Sequence, residues 1–205
     1  MTETNIRAVI WDLGGVLLRT EDPTPREQAA RRFGVTVKEL SAVIFESESS
    51  RQAECGEIHF EEHNKFIANQ LGITSADIAG LFDEFFGGDC MDTDLKAFIC
   101  SLRPRYRCGL LSNAWGSLRQ FLEDNHADLL SCFDTVIISA EAGMRKPDGR
   151  IFQLALKQLE VAPQEAVFID DLEINAAAAR ENGLHAIHFT DPQQAMDALK
   201  TLLAE

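Results

Sequence analysis

Positive charge is scarce in this sequence of 205 residues, which has 19 Lys and Arg against 33 Asp and Glu and a net charge of −14. Nucleic acid and anionic membranes repel so acidic a chain, and we expect neither of them as a partner. The shortage also constrains any site for an anionic substrate. Such a site must supply local positive charge from lysine, arginine, backbone N–H groups or a metal ion.

Cysteine is sparse as well and shows no pairing pattern. The five cysteines are scattered, their number is odd, and none forms a C-x-x-C motif. A long apolar run is also missing, because Asp12 interrupts the stretch 8–18 and no basic segment precedes it. We therefore expect reduced thiols, no signal peptide or membrane span, and a cytoplasmic location.

Short apolar runs alternate with amphipathic segments over most of the chain. The runs are Ala8–Trp11, Gly109–Leu111, Thr135–Ile138, Ala166–Ile169 and Ala186–Phe189. Runs that are apolar at consecutive positions are typical of strands buried on both faces of a parallel sheet. The alternation predicts an α/β fold with a Rossmann-like, doubly wound parallel sheet.

Residues 21–88 break this alternation, because they carry helix signals and no strand-like run. Two capping-box patterns and two amphipathic stretches lie at Thr24–Glu27, Thr36–Glu39, Phe60–Leu71 and Ser75–Phe86. These patterns open or fill helices. We expect residues 21–88 to form a small helical domain inserted into a core made of residues 1–20 and 89–205.

Polar residues stand where the predicted core strands end. They are Asp12 after the first strand, Ser112-Asn113 after the second, Lys146 after the third and Asp170-Asp171 after the fourth. The carboxyl ends of parallel strands meet at one edge of a sheet, which is where open α/β sheets bind ligands. Three carboxylates, a hydroxyl and a lysine are therefore predicted to converge.

Each of these groups has a use in phosphoryl transfer. A carboxylate can attack phosphorus and form an acyl phosphate. Neighbouring carboxylates require a hard cation, for which Mg²⁺ with oxygen ligands is suited. A hydroxyl and helix N-terminal N–H groups can hold phosphoryl oxygens, and a lysine can neutralise their charge. These residues also have interpretations without a catalytic role: Asp170 and Asp171 could cap the N-terminus of a helix, and Lys146 could be a solvated surface lysine.

Four segments in this order resemble the motifs of the haloacid dehalogenase-like (HAD) hydrolase superfamily. They are A-V-I-W-D-L-G-G-V-L, G-L-L-S-N-A-W, M-R-K-P-D-G-R-I-F and V-F-I-D-D-L-E-I-N. The resemblance spans the core and implies a Rossmann-like domain, an Asp nucleophile, a Mg²⁺ cofactor and a helical cap inserted after the first motif. The implied cap agrees with the reading of residues 21–88.

The resemblance also implies a role for each site residue. Asp12 would be nucleophile and metal ligand, and the carbonyl of Gly14 a second ligand. Ser112 and the N–H of Asn113 would bind phosphate, with Lys146 bridging phosphate and Asp12. Asp171 would contact the metal directly, and Asp170 directly or through water.

One position departs from the family pattern. Phosphatases of this family usually carry a second Asp two residues after the nucleophile as general acid and base, and that position is Gly14 here. The D-L-G-G-V form resembles a branch that includes a glucose-1-phosphate phosphatase. Either a better leaving group, such as an anomeric sugar oxygen, or an acid from the cap would compensate. Cap candidates are Glu54, Glu57, His59 and Glu61.

The leading interpretation is a phosphatase acting on a small phosphorylated metabolite through an aspartyl-phosphate at Asp12. The alternatives are a 2-haloacid dehalogenase and a catalytically silent protein that binds Mg²⁺ and phosphate. His59 and His63 have the spacing of zinc ligands on a helix, but a solvated helix face fits them better because a third ligand is not evident. Trp115 is interpreted as core packing rather than pocket lining. No oligomeric state is predicted.

Overall fold

The computed structural model describes residues 5–203, so the first four and last two residues of the predicted core lie outside the description. Its strands are Ala8–Trp11 (β1), Leu18–Thr20 (β2), Asp89–Met91 (β3), Arg107–Ser112 (β4), Thr135–Ile138 (β5), Ala166–Asp170 (β6) and His185–His188 (β7). Its helices are Thr24–Arg32 (α1), Val37–Ser41 (α2), Glu48–Glu54 (α3), Phe60–Leu71 (α4), Ile78–Phe85 (α5), Thr93–Leu102 (α6), Leu118–Asn125 (α7), Ala127–Leu130 (α8), Ser139–Ala142 (α9), Gly149–Leu159 (α10), Glu173–Glu181 (α11) and Pro192–Leu203 (α12).

Five strands form one parallel sheet in the order β5-β4-β1-β6-β7. The central strand β1 is fully buried, and its alternate residues face opposite sides of the sheet. Val9 and Trp11 pack into the cluster that contains residues of α6 and α12, while Ala8 and Ile10 pack with residues of α10 and α11. The predicted doubly wound α/β fold is confirmed.

Register places the strand ends at one level. Trp11 pairs with Leu110 on β4 and with Ile169 on β6, so the next residues along the three strands reach the same sheet edge together. Consistent with this register, the N–H of Asp12 donates to the carbonyl of Ile169 at 2.9 Å. Asp12 therefore lies at the sheet edge beside Asp170 and Asp171, at the end of β6.

The helical insertion, residues 21–88, carries α1 to α5 and has an apolar cluster of its own, which includes Leu40, Ile44, Ile67, Leu81 and Phe85. Helix α4 has the predicted bounds, whereas Ser75–Asp77 is a 3₁₀ turn ahead of α5. The pair β2 and β3, which the sequence analysis missed, forms a two-stranded antiparallel ribbon at the ends of the insertion. With three residues each, these strands are too short to show an alternating pattern.

The two capping boxes have different outcomes. At Thr36 the box is present, since Glu39 N–H donates to Thr36 Oγ1 at 3.2 Å and Thr36 N–H donates to Glu39 Oε2 at 2.8 Å. At Thr24 the prediction is wrong, because Pro23 occupies the cap position and Thr24 is the first helical residue. Asp22 lies ahead of the helix instead, and its Oδ1 accepts from the N–H of Thr24 at 2.9 Å, which satisfies one of the free N–H groups of the first turn.

The expectation of five reduced thiols is also wrong. Cys100, in α6, and Cys132, just after α8, form a disulfide, with their Cα atoms 4.7 Å apart. That Cα distance lies in the usual range for a bridge, and the packing of these two elements produces it across a sequence separation of 32 residues. The remaining cysteines, at 55, 90 and 108, are free thiols.

No helix within residues 5–203 is long and apolar enough to cross a membrane.

Candidate active site

Three carboxylates meet at the carboxyl edge of the sheet. Asp12 follows β1, Asp170 ends β6 and Asp171 comes next, and one oxygen from each lies within 4.8 Å of the others. Asp12 and Asp170 are buried, and Asp171 is half-buried. The strand register therefore brings together the three acidic residues that the sequence analysis predicted at this edge.

Lys146 lies between two of these carboxylates, fully buried at 1% exposure. Its Nζ is 2.9 Å from Asp12 Oδ1 and 2.6 Å from Asp170 Oδ2. Burial lowers the pKa of Lys146, but the attraction of Asp12 and Asp170 outweighs it and the pKa is raised. The side chain is an ammonium ion that links the ends of β1 and β6. The alternative of a solvated surface lysine is excluded by its burial.

The pKa of Asp12 is subject to opposing electrostatic effects. Burial raises its pKa to about 7 despite the opposing attraction of Lys146, and Asp170 adds repulsion. The pKa of Asp171 is raised by burial and by Asp170. One ammonium among three carboxylates leaves excess negative charge in a poorly solvated place, and a bound cation would relieve that excess.

Asp170 is held by protein donors on both of its oxygens. Asn175, in the first turn of α11, donates from Nδ2 to Oδ1 at 3.0 Å and to Oδ2 at 3.1 Å. The N–H of Leu172 donates to Oδ1 at 2.8 Å. With Lys146 on Oδ2, most of the accepting capacity of this carboxylate is used within the protein.

Gly15 allows the backbone after β1 to approach Asp171. Its φ is +73°, and an added Cβ would overlap the Asp171 carboxylate. At Gly14, where the family pattern has an acid, an added Cβ would meet nothing within 4 Å. Gly15 is required by the close approach to Asp171, while Gly14 leaves open space near Asp12.

Ser112 and Asn113 end and follow β4 at the same edge. Ser112 is buried, and the Asn113 side chain holds the main chain of Lys146: Nδ2 donates to its carbonyl at 2.9 Å and Oδ1 accepts from its N–H at 2.8 Å. Every side chain predicted for the site is thus present at one sheet edge. The side-chain amide of Asn113 hydrogen-bonds the main chain of Lys146 and so positions that lysine.

Trp115, two residues further along this loop, contacts the helical insertion. Its ring stacks on Phe45 at 5.7 Å and Phe60 at 5.0 Å between centroids, and its Nε1 donates to Ser50 Oγ at 3.1 Å. Trp115 is therefore packed among aromatic side chains, as predicted. The contact joins the loop after β4 to the insertion.

His63 is buried rather than solvated, so the predicted helix-face interpretation is wrong for it. Its Nε2 bonds the carbonyl of Ile44 at 2.9 Å and its Nδ1 bonds Ser49 Oγ at 3.1 Å. The carbonyl belongs to a π-helical turn over Ala42–Glu46, so this hydrogen bond ties α4 to that turn. Burial lowers the pKa of His63.

Among the four acid candidates of the insertion, only one is buried. Glu54, the last residue of α3, is 7% exposed, whereas Glu57, His59 and Glu61 are exposed. Its Oε2 lies 3.1 Å from Arg145 Nη1, the residue before Lys146. The insertion therefore brings a carboxylate to the charged edge of the core.

Some site residues were not predicted: Gly15, Asn175 and the pair of Glu54 with Arg145. Asn175 had a readable signal, since it follows Asp170 by five residues on the turn that opens a helix. Gly15 had a weaker one, as the second of two adjacent glycines. The Glu54–Arg145 contact joins residues from different layers of the fold, and no spacing in the sequence indicates it.

Comparison with known proteins gives consistent results. A model of haloacid dehalogenase-like hydrolases matches residues 6–183. A sesquiterpene phosphatase of Aspergillus oryzae is 30% identical over 189 residues, which span 92% of each protein. A HAD-family enzyme of Bacteroides thetaiotaomicron, solved as a variant in complex with magnesium and inorganic phosphate, is 26% identical with a TM-score of 0.72, over 90% of this chain and 94% of that one.

An L-2-haloacid dehalogenase from Xanthobacter autotrophicus, solved with chloropropionic acid covalently bound, has a TM-score of 0.67 and covers 98% of this chain and 85% of that one. At 20% identity this likeness concerns the fold alone.

Proposed function

This chain belongs to the haloacid dehalogenase-like hydrolase family, and from that premise we propose that it is a Mg²⁺-dependent phosphatase acting on a small phosphorylated metabolite. The observation that carries the proposal is the cluster of three carboxylates around a buried lysine at the sheet edge. The phosphatase named above supports the reaction class. We also propose that residues 1–20 and 89–205 form the catalytic core and that the helical insertion is its cap.

The donor set fits magnesium. All its candidate ligands are oxygens: the carboxylates of Asp12, Asp170 and Asp171, and the carbonyl of Gly14. Hard oxygen ligands suit Mg²⁺, and the excess negative charge of the cluster favours a divalent cation. Because Asp170 is occupied by Lys146 and Asn175, we assign direct contact to Asp171 and an assisting role to Asp170. When bound, the ion would neutralise charge on the phosphoryl oxygens.

The chain's own groups account for the first half of the reaction. An oxygen of Asp12 attacks phosphorus, the Asp12 O–P bond forms, and the ester O–P bond breaks. Lys146, already 2.9 Å from Asp12 Oδ1, orients the nucleophile and pairs with the phosphoryl charge. The hydroxyl of Ser112 and the N–H of Asn113 donate to the other phosphoryl oxygens. Water then attacks phosphorus, which releases phosphate and regenerates Asp12.

The dehalogenase alternative has the fold in its favour but not the site. Carbon–halogen displacement by a carboxylate makes no use of a second and third acidic residue around the nucleophile. Here Asp170 and Asp171 stand beside Asp12, which supports a cation site. A chelator discriminates the two, because EDTA abolishes a metal-dependent phosphatase and spares a metal-free dehalogenase.

Two classes of alcohol are candidates for the leaving group of the substrate. A sugar-1-phosphate would offset the missing acid at Gly14, because its anomeric oxygen leaves more readily than an alkoxide. The Aspergillus relative supports instead an apolar, prenyl-type alcohol. Equal rates on an aliphatic and an anomeric phosphate would reject the leaving-group explanation.

The experiment is a screen of phosphate monoesters with Mg²⁺, with Asp12→Asn as the matched variant and EDTA as the metal control. The panel contains sugar, polyol, amino-acid and prenyl phosphates. We expect metal-dependent release of phosphate from at least one class and its loss in Asp12→Asn. If the folded, Mg²⁺-loaded protein releases phosphate from none, the silent binding protein is the correct alternative.

A further inference from the structure

We propose that Glu54 is the general acid that protonates the leaving oxygen and then the base that deprotonates the hydrolytic water. The proposal rests on the proposed phosphatase function and assigns the step for which Gly14 offers no side chain. Glu54 belongs to the helical insertion, so the insertion would supply a reacting group to the active site as well as covering it.

Space for such a group exists beside the nucleophile. Gly14 lies two residues after Asp12, is exposed, and an added Cβ there would meet nothing within 4 Å. The side chain of an acidic residue at this position would therefore have open space. A leaving group seated there needs a proton from another element.

The end of α3 is held against the core at the level of the site. Gly56, two residues after Glu54, has φ +67°, and an added Cβ would overlap the carbonyl oxygen of Ala140 in α9. Helix α9 leads into the loop that carries Arg145 and Lys146. Backbone contact this close fixes where the Glu54 side chain enters the boundary between insertion and core.

Glu54 and Arg145 are incompletely paired. The Glu54 Oε2 and Arg145 Nη1 atoms are 3.1 Å apart, yet Oε2 and the Arg145 Nε make no hydrogen bond to any group within residues 5–203. Buried polar atoms nearly always have a partner, and those that do not require an explanation. The ester oxygen with its phosphoryl neighbours is the polar partner that we assign to these two atoms.

The electrostatic surroundings suit a proton donor. Burial raises the pKa of Glu54, although Arg145, Lys146 and Arg51, the cations that act on it, lower it. The carboxyl therefore retains its proton to a higher pH than an ordinary glutamic acid. An acid in this state is better matched to proton transfer near neutral pH than a solvated glutamate.

The proton balance closes over one cycle. As the ester O–P bond breaks and the Asp12 O–P bond forms, the Glu54 carboxyl proton passes to the ester oxygen and the alcohol leaves. The Glu54 carboxylate then accepts a proton from water while the water oxygen attacks phosphorus. The Asp12 O–P bond breaks, inorganic phosphate departs, and Glu54 is again protonated.

The test compares wild type with Glu54→Gln on two substrates, para-nitrophenyl phosphate and an alkyl phosphate. An aryl oxide leaves without a proton, whereas an alkoxide needs one. We expect a loss of about 10²- to 10⁴-fold in kcat/KM on the alkyl phosphate and a much smaller loss in kcat/KM on the aryl phosphate, because kcat/KM reports the step in which the ester oxygen leaves. Glu48→Gln, an exposed position on the same helix, is the matched control and retains both activities.

A second variant tests the role independently. Gly14→Asp adds a carboxyl where space is open, and the double variant Gly14→Asp, Glu54→Gln is expected to recover alkyl phosphate hydrolysis. Equal losses of kcat/KM on both substrates without recovery, or no loss at all, would overturn the role of Glu54 while leaving the phosphatase intact. Should Glu54→Gln not fold, Glu54→Asp replaces it: it keeps a carboxyl but withdraws it by one methylene, and a smaller loss confined to kcat/KM on the alkyl phosphate is expected. A wild type that hydrolyses neither ester overturns both proposals.

Discussion

The Asn113 side chain makes two hydrogen bonds to the main chain of Lys146, one to its carbonyl at 2.9 Å and one from its N–H at 2.8 Å. The two residues lie 33 positions apart, on the loops that follow β4 and α9. This amide fixes the backbone from which the buried lysine reaches Asp12 and Asp170. The position of the ammonium group therefore depends on a residue that does not itself touch either carboxylate.

Asn113→Ala tests this dependence. The substitution keeps the main-chain N–H assigned to phosphate and removes only the side-chain bonds. Losing a buried hydrogen-bond partner costs about 1–3 kcal/mol, which corresponds to roughly a five- to hundredfold decrease in kcat/KM if the lysine shifts in the transition state. Steady-state kinetics measures it, with Asn69→Ala on the exposed side of α4 as control. Unchanged kinetics would show that Lys146 is positioned without Asn113.

Gly15→Ala is expected to weaken magnesium binding, because a Cβ at this position would overlap the Asp171 carboxylate. Gly34 has a similar φ, +66° against +73°, but nothing within 4 Å of an added Cβ. Both substitutions cost about 1–3 kcal/mol of stability from the left-handed backbone. Only Gly15→Ala should raise the Mg²⁺ concentration for half-maximal activity. Identical Mg²⁺ curves for the two variants would remove Asp171 from the metal site.

His63 predicts how stability changes with pH. Burial lowers its pKa in the folded state, so the unfolded chain binds a proton at higher pH than the folded one. The stability that neutral His63 contributes is complete above the unfolded pKa of about 6.5 and is lost as pH falls below it. His63→Gln should lose less unfolding free energy than wild type between neutral and mildly acidic pH. Parallel curves from denaturant titrations would contradict this.

The acidic edge of the sheet could be predicted because its signals are local. Asp12 and Asp170 each end a short apolar run, and the rule that parallel strands share a carboxyl edge brings them together. Lys146 follows from the same topology with less certainty, since its long side chain reaches the carboxylates from a loop. The helices of the insertion were visible in their periodicity and caps.

Other features were beyond the reach of the sequence because they depend on contacts between separate layers. His63 has the pattern of an exposed helix residue, but in the fold it is buried and hydrogen-bonds the carbonyl of Ile44 in the π-helical turn of residues 42–46. The Cys100–Cys132 disulfide arises from the packing of α6 against the end of α8. Glu54 was one of several acidic candidates, and only the approach of α3 to the core distinguishes it.

Asp12 is proposed to form a covalent phosphoryl intermediate, and acid quenching during turnover detects such an intermediate. The protein is mixed with Mg²⁺ and a substrate from the screen, quenched in acid, digested, and its peptides are analysed by mass spectrometry. We predict a phosphoryl group on the peptide that contains Asp12, formed in wild type and absent in Asp12→Asn. Sustained release of phosphate with no phosphoryl adduct at Asp12, and undiminished in Asp12→Asn, would contradict the account.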